Sequence, residues 1–301
     1  SPAKTHPTET MTSSWGPVLG LLFNALVFGL SWWPLREMQT LGLHPLWATA
    51  FMYGFACVCI TVLRPHTWRS MVEHPALWWL FLGSGLTNLG FNWAVTLGDV
   101  VRVVLLFYTM PAWSVLFAWL LLDERPTRWS LLRLALALCG VALVLKTPEM
   151  DWPWPASAMD YLALLGGANF ALNNAMLKKL SYLPEADRMA GMFGGGIALT
   201  ALAALAGAPS GLVVWPQDYA WWPYALALAV LLLASNLSLQ FGAARLAAST
   251  TALVMLSEIV FATLSSVALG ASELSTRKLL GGLLIVLAAA LAAWPSRDKP
   301  D

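Results

Sequence analysis

Long apolar runs, each ended by a short polar or proline-containing stretch, recur along the whole chain. A helix crossing about 30 Å of hydrocarbon needs about 20 mostly apolar residues. With Arg, Lys, Pro and Trp taken as end markers, the pattern predicts ten such helices. They are Gly16–Leu35, Pro45–Leu63, Ala76–Leu97, Val100–Leu122, Leu131–Leu145, Met159–Leu177, Met189–Leu205, Trp222–Gly242, Leu246–Leu269 and Leu279–Trp294. The fold class is therefore an all-α polytopic membrane protein, with no room in 301 residues for a second, soluble domain. The first run follows no basic segment and ends in Trp32-Trp33-Pro34 rather than small residues, so it is expected to stay in the mature protein. Residues 1–15 read as a polar tail, Ser1–Thr10 being a candidate leader before Met11, and 295–301 as a second tail.

The basic residues orient these spans. The N-tail, the even-numbered loops and the C-tail hold Lys4, Arg64, Arg69, Arg125, Arg128, Arg133, Lys178, Lys179, Arg188, Arg245, Arg297 and Lys299; the other loops hold Arg36, Arg102, Lys146, Arg277 and Lys278. The excess of Lys and Arg on one side predicts that both termini are cytoplasmic. Trp15, Trp47, Trp68, Trp129, Trp152, Trp154, Trp215, Trp221 and Trp294 fall at or beyond span ends, where their rings suit the head-group layer.

The chain also repeats itself. A shift of 149 residues puts Glu124 on Glu273, Thr127 on Thr276 and Arg128 on Arg277; a shift of 148 puts Asn88 on Asn236 and Asn92 on Gln240; a shift of 142 puts Phe28 on Phe170 and Arg36 on Lys178. Two units result, residues 16–145 and 159–294, joined by the Trp- and Pro-rich linker 146–158. Five crossings is an odd number, so the second unit is predicted to lie upside down relative to the first. Such inverted repeats favour alternating access about a central site.

Composition narrows the function. The chain is 58% hydrophobic and 11% charged, against about 25% charged for a soluble domain, which excludes an ordinary soluble enzyme. Lys plus Arg (17) nearly equals Asp plus Glu (16) and no basic run exceeds two residues, so nucleic acid is not an expected partner. Cys57, Cys59 and Cys139 lie in apolar stretches and form no disulfide framework. His6, His44, His66 and His74 sit in tails or loops, and no zinc, hydrolase or Walker A motif is present. No enzyme activity and no cofactor are expected.

The run Tyr108-Thr109-Met110-Pro111-Ala112-Trp113-Ser114-Val115-Leu116-Phe117-Ala118-Trp119-Leu120-Leu121-Leu122-Asp123-Glu124-Arg125 resembles the signature of the EamA branch of the drug/metabolite transporter superfamily, an apolar helix with a central proline ending in a Glu-containing loop. The resemblance covers both five-helix halves, implying two inverted EamA repeats. Within the branch the chain is similar to YddG-type exporters, which carry aromatic and other neutral amino acids across the bacterial inner membrane. The resemblance thus implies an amino-acid exporter in that membrane, with lipid and a small-molecule substrate as partners and a monomer sufficient to enclose the cavity. Ser257-Glu258-Ile259-Val260-Phe261 has no proline where the first half has Pro111, so nothing in the sequence calls for spans 4 and 9 to bend alike.

Polar groups inside spans point to a pathway, because bilayer burial is costly unless they face a wet cavity or a partner. Asn88 and Asn92 lie four apart on one face of span 3, and Asn236 and Gln240 repeat the device on span 8. They either line a shared cavity or hydrogen-bond between helices. Span 1 offers Asn24 and span 6 Asn169, Asn173 and Asn174, of which adjacent Asn173 and Asn174 cannot both face inward. Tyr108, Trp93 and Trp113 are a candidate aromatic lining, and Pro111 a candidate kink that frees the Phe107 carbonyl. Glu258, the single acid placed well inside a span, could hold a substrate ammonium, couple a proton, or accept hydrogen bonds beside Ser257. Glu124 and Glu273 are helix-end groups, with Thr127 and Ser275 or Thr276 as N-caps of the following spans. Gly16, Gly20, Gly191 and Gly194–Gly196 read as packing glycines, the last group as a candidate flexible point in span 7. Drug/proton antiport is the alternative function; it ranks second because mid-span 1 holds Asn24 where small multidrug relatives have an acid. A channel and an intramembrane enzyme rank below it.

Overall fold

The computed structural model describes residues 15–97, 100–150 and 154–294. The tails, with Lys4, Arg297 and Lys299, and Trp152 of the linker lie outside the described residues. Among the described residues all regular structure is helical: α1 (Trp15–Leu30), α2 (Trp32–Thr40), α3 (Pro45–Leu63), α4 (Thr67–Glu73), α5 (Leu77–Leu97), α6 (Val100–Phe107), α7 (Met110–Leu122), α8 (Arg128–Leu145), α9 (Ala158–Lys179), α10 (Glu185–Gly207), α11 (Trp222–Ala243), α12 (Ala248–Met255), α13 (Ser257–Ala268) and α14 (Thr276–Ala293). Among the described residues eight helical stretches are long and apolar enough to cross a membrane; α1 with α2, α6 with α7 and α12 with α13 each count as one of them. Helices α5 and α9 have 21 and 22 residues, about the length a crossing needs. Asparagines and glycines in both, tryptophans in α5 and the terminal charges of α9 keep them out of that apolar set.

Local chemistry fixes the ends. Thr127 and Ser130 form a reciprocal capping box on α8, and Ser157 and Asp160 one on α9. Ser275, not Thr276, caps α14 by accepting the Lys278 amide. The α8 cap starts that helix at Arg128, three residues before the apolar run. The first span likewise continues past Leu35 to Thr40, with a turn at Ser31, so Arg36 is helical rather than in a loop.

His44 caps α3, its Nδ1 accepting the Leu46 amide at 3.1 Å. Burial holds its pKa below the ordinary 6.5. Protonation would consume the acceptor, so the stability this cap contributes is complete above pH 6.5 and is lost as pH falls through the lower folded value. His44→Asn keeps an acceptor without titrating there, and is expected to remove this part of the pH dependence of the thermal midpoint between about pH 7 and 5. An unchanged profile would show that the cap does not titrate in that range.

Helix α5 lies between α9 and α10, and α1 between α11 and α13. The neighbours recur between halves: α5 on α9 corresponds to α11 on α1, α5 on α10 to α11 on α3, and α7 on α9 to α13 on α1. Helix α3 packs on α10 and α8 on α14 across the halves. Leu19, Val62, Leu120, Leu202 and Leu283 are exposed, an outward apolar face suited to lipid. Trp15, Trp129, Trp154, Trp215 and Trp294 are exposed near helix ends, but Trp47 and Trp221 are buried, with Phe51 stacked on Trp221 and Trp215 edge-on to Trp47.

The glycines of α10 serve packing. A Cβ on Gly195 would run into the Phe81 carbonyl of α5, and one on Gly196 into the Tyr53 ring of α3. Gly196→Ala is expected to displace Tyr53 and lower stability by about 1–3 kcal/mol, the usual cost of overpacking, read as a lower thermal midpoint in detergent. An unchanged midpoint would mean that α3 and α10 separate freely here.

Candidate functional site

Both halves contribute a broken helix, and the two breaks meet. Helix α6 ends at Phe107 and α7 starts at Met110, which puts Pro111 in the first turn of α7, where no amide is needed. Gly167 of α9 leaves room for the Phe107 carbonyl; any Cβ there would collide with it. In the second half α12 ends at Met255 and α13 starts at Ser257. This break needs no proline. Ser257 Oγ donates to the Val254 carbonyl at 2.6 Å, as Thr109 Oγ1 donates to the Leu106 carbonyl at 2.7 Å. Both members of the two pairs are 148 residues apart, the register that relates Asn88 to Asn236. A hydroxyl three residues on from a released carbonyl is the shared device, which is why absence of proline did not keep span 9 continuous.

Across this junction Tyr108 donates to Glu258 Oε1 at 2.8 Å. Glu258 stands in the first turn of α13, where the helix dipole favours a carboxylate. Beside the pair lies a cavity of about 390 Å³ between the halves. It reaches from Asn24, Asn173 and Glu258 to Arg36, Gln39 and Pro45, so its mouth lies at the α2–α3 end of the bundle.

Of the residues expected at a site, Asn24, Asn88, Asn92, Tyr108, Asn173, Asn236 and Glu258 line this cavity. Asn24 Nδ2 donates to the Ser235 carbonyl at 3.1 Å, tying α1 to α11. Asn88 accepts from the Tyr53 hydroxyl at 3.2 Å and donates to the Ser84 carbonyl, while Asn92 donates to Thr49 Oγ1 at 3.3 Å. Asn173 Oδ1 is buried without a hydrogen-bond partner.

Five of the candidate residues lie off this lining. Gln240 is fully buried behind the wall, where its Nε2 donates to Asn236 Oδ1 at 2.9 Å; it orients Asn236 rather than lining the cavity. Asn174 turns away from its neighbour Asn173, its Nδ2 against Met255 Sδ at 3.7 Å. Asn169 bonds back to the Leu165 carbonyl of its own helix at 2.8 Å. Trp93 packs beside Gly207 of α10, and Trp113 is half-buried outside the lining residues. The aromatic wall comes instead from Phe91, Phe107, Tyr108 and Phe170, with Phe107 4.8 Å from Phe91 and 5.8 Å from Phe170 between ring centroids. Lining also comes from α3 and α10, through Thr49, Tyr53, Met192 and Phe193, so the wall is not confined to the six spans carrying the expected polar residues.

Glu258 and Arg36 are the two formally charged residues on the lining, one deep and one at the mouth. Between them lie amide and hydroxyl groups on one side and phenyl rings on the other. Such a chamber can hold a small molecule with a cationic or hydrogen-bonding head and an apolar body. No group of three or more His, Cys, Asp or Glu suited to a metal occurs among the described residues.

The EamA-like transporter family model matches residues 15–146. The uncharacterized transporter YojE of Bacillus subtilis is 27% identical over 170 residues, 53% of this chain and 53% of that protein, so the chain spans about half the length of that relative. The UPF0060 membrane protein of Aeromonas hydrophila is 30% identical over 120 residues, 38% of this chain and 98% of that protein. A protein of known crystal structure shares the fold over 93% of this chain and 98% of its own, with a TM-score of 0.70 and 20% identity. The first part of the chain, residues 15–146, is thus similar to the EamA-like transporter family.

Proposed function

We propose that the protein is an exporter of aromatic and other neutral amino acids that works by alternating access around the central cavity. In this reading ten helices span the bacterial inner membrane as two inverted five-helix repeats, with both termini in the cytoplasm, and one chain suffices. The carrying observation is the chamber of about 390 Å³, within the range of about 300–1,000 Å³ common for small-ligand sites, with one carboxylate at its base and rings beside it. Glu258 receives the substrate ammonium; Phe91, Phe107 and Phe170 face the side chain; Asn88, Asn92 and Asn173 supply donors and acceptors to its polar end. The recurrence of helix neighbours and of the broken spans supports two inverted units. The excess of Lys and Arg at the terminal side supports a mouth that faces outward in this conformation.

A second reading, proton-coupled export of an organic cation, is favoured by the same Glu258. Uptake of labelled tryptophan, phenylalanine, threonine and methionine by purified protein in liposomes, with and without a pH gradient, separates the two. Saturable uptake without the gradient is the expected result. No uptake of any of the four, in vesicles that do carry a quaternary ammonium dye, overturns the amino-acid reading.

A further inference from the structure

The end of the bundle remote from the mouth is fastened by a single carboxylate. Glu124 follows α7, whose C-cap Asp123 takes a left-handed turn at φ 55°. Its Oε1 accepts Lys178 Nζ near the end of α9 at 2.5 Å, and its Oε2 accepts the amide of Ala248, the first residue of α12, at 3.1 Å. Spans 4, 6 and 9 are thus drawn together at one point, and both charged side chains are more than two-thirds buried.

The repeat supplies the same parts at the other end. The 149 register relates Glu124 to Glu273, after α13, and the 142 register relates Lys178 to Arg36, in α2. These stand on spans 9 and 1, the counterparts of spans 4 and 6. In this conformation Arg36 lies exposed at the cavity mouth, Glu273 is exposed, and the two are not paired with each other. One end carries a closed ion pair, and the mouth end carries its open copy.

We propose that Arg36 and Glu273 are gate residues that close the mouth as an ion pair in the opposite conformation, in exchange for Lys178–Glu124. The inference rests on the alternating-access reading. An inverted repeat requires that each half adopt in turn the arrangement the other now has, so the closed contact of one end is the template for the other. Because one pair must open when the other forms, the two bias a single equilibrium in opposite directions, each by its differential stability in the two states. The asymmetric placement, with Arg36 about one turn from the end of its helix, leaves its long side chain to make up the reach.

The test is the labelling rate of Ser31→Cys, a cavity position, by a membrane-impermeant thiol reagent from the mouth side, read as the increment over the parent chain. Lys178→Ala is expected to lower that rate about threefold by releasing the closed end, an effect of the size an ion pair can have. Adding Glu273→Gln is expected to restore it, and the double exchange Arg36→Glu with Glu273→Arg to leave the Lys178→Ala rate low where either single exchange raises it. An unchanged rate in Lys178→Ala, or no recovery on adding Glu273→Gln, overturns the exchange. Should these variants fold poorly, Arg36→Cys with Glu273→Cys gives an independent readout. Because the Arg36 side chain supplies much of the reach, the two thiols are bridged by a bifunctional thiol reagent about as long as an arginine side chain rather than by a disulfide, which needs Cα atoms within about 7 Å. Faster cross-linking is expected in the Lys178→Ala background, and an unchanged rate overturns the exchange. None of these readouts needs a substrate. Failure of amino-acid uptake with the exchange intact therefore overturns the substrate alone, and constant accessibility with uptake intact overturns the gate alone.

Discussion

Replacing Glu258 with Gln is expected to cut amino-acid transport about 10- to 100-fold, the loss that follows from removing a charge-assisted hydrogen bond of about 1.5–3 kcal/mol to the substrate ammonium. The amide keeps the shape of the side chain, and its oxygen still accepts the Tyr108 hydroxyl that now lies 2.8 Å from Oε1. The junction between the broken helices is therefore retained and folding is expected to be unchanged. Tyr108→Phe makes the complementary change, freeing the carboxylate while keeping the ring beside Phe107, from which it is 5.6 Å between centroids. It is expected to alter transport less than Glu258→Gln does. A structural role for Glu258 predicts the reverse, because a neutral acceptor satisfies Tyr108 as well as a charged one. Uptake in liposomes, together with a thermal midpoint in detergent for each variant, decides between them. Full transport by Glu258→Gln would remove the carboxylate from the binding site.

The all-helical, membrane-spanning character of the chain and the approximate limits of its long apolar helices were legible because lipid imposes a length and an apolar composition that few soluble folds share. The two helices least apolar by that measure, α5 and α9, are those whose Asn88, Asn92 and Asn173 reach the cavity, so the weak hydropathy and the site have one cause. The break in span 4 could be read from Pro111, but the one in span 9 is carried by Ser257, and a serine in an apolar helix gives no comparable mark. The repeat held the missing signal: Thr109 and Ser257 share the register of Asn88 and Asn236.

Which side of a helix faces the cavity was harder to read, since every side of a membrane helix is apolar. Trp93 and Trp113 looked as suited to a substrate wall as Phe91 and Phe107; only the packing of α5, α6 and α9 separates them. Arg36 was assigned to a loop because a cation usually ends a span, whereas here it extends from helical backbone to the mouth. Tyr53 and Thr49 were missed for a different reason. They too stand four apart on α3, but a threonine and a tyrosine mark an apolar helix less plainly than paired amides do, and their role emerges only from their bonds to Asn88 and Asn92.

The largest loss of stability is expected from Asp160→Ala. This carboxylate is almost wholly buried at the start of α9, where Oδ2 accepts Arg102 Nε at 3.0 Å and the amides of Ala156 and Ser157 at 2.9 and 3.2 Å. Arg102 also donates to the Trp154 carbonyl. One side chain thus holds α6, the end of the linker and the cap of α9 together, fixing the helix that ends at Phe107, just before Tyr108, against the one that carries Phe170 and Asn173. Removing it leaves a guanidinium without its carboxylate and two amides without an acceptor. Breaking a buried pair from one side costs about 3–5 kcal/mol, and the thermal midpoint in detergent is expected to fall accordingly. Asp160→Asn keeps an acceptor for the amides and is expected to lose less. Arg102→Leu in the Asp160→Ala background removes the orphaned charge and is expected to recover part of the loss, a coupling that a double-mutant cycle measures. Additive losses in that cycle would mean that the pair does not act as a unit. The tie between α6 and α9 would then rest on apolar packing and the close approach of Gly167 to the Phe107 carbonyl.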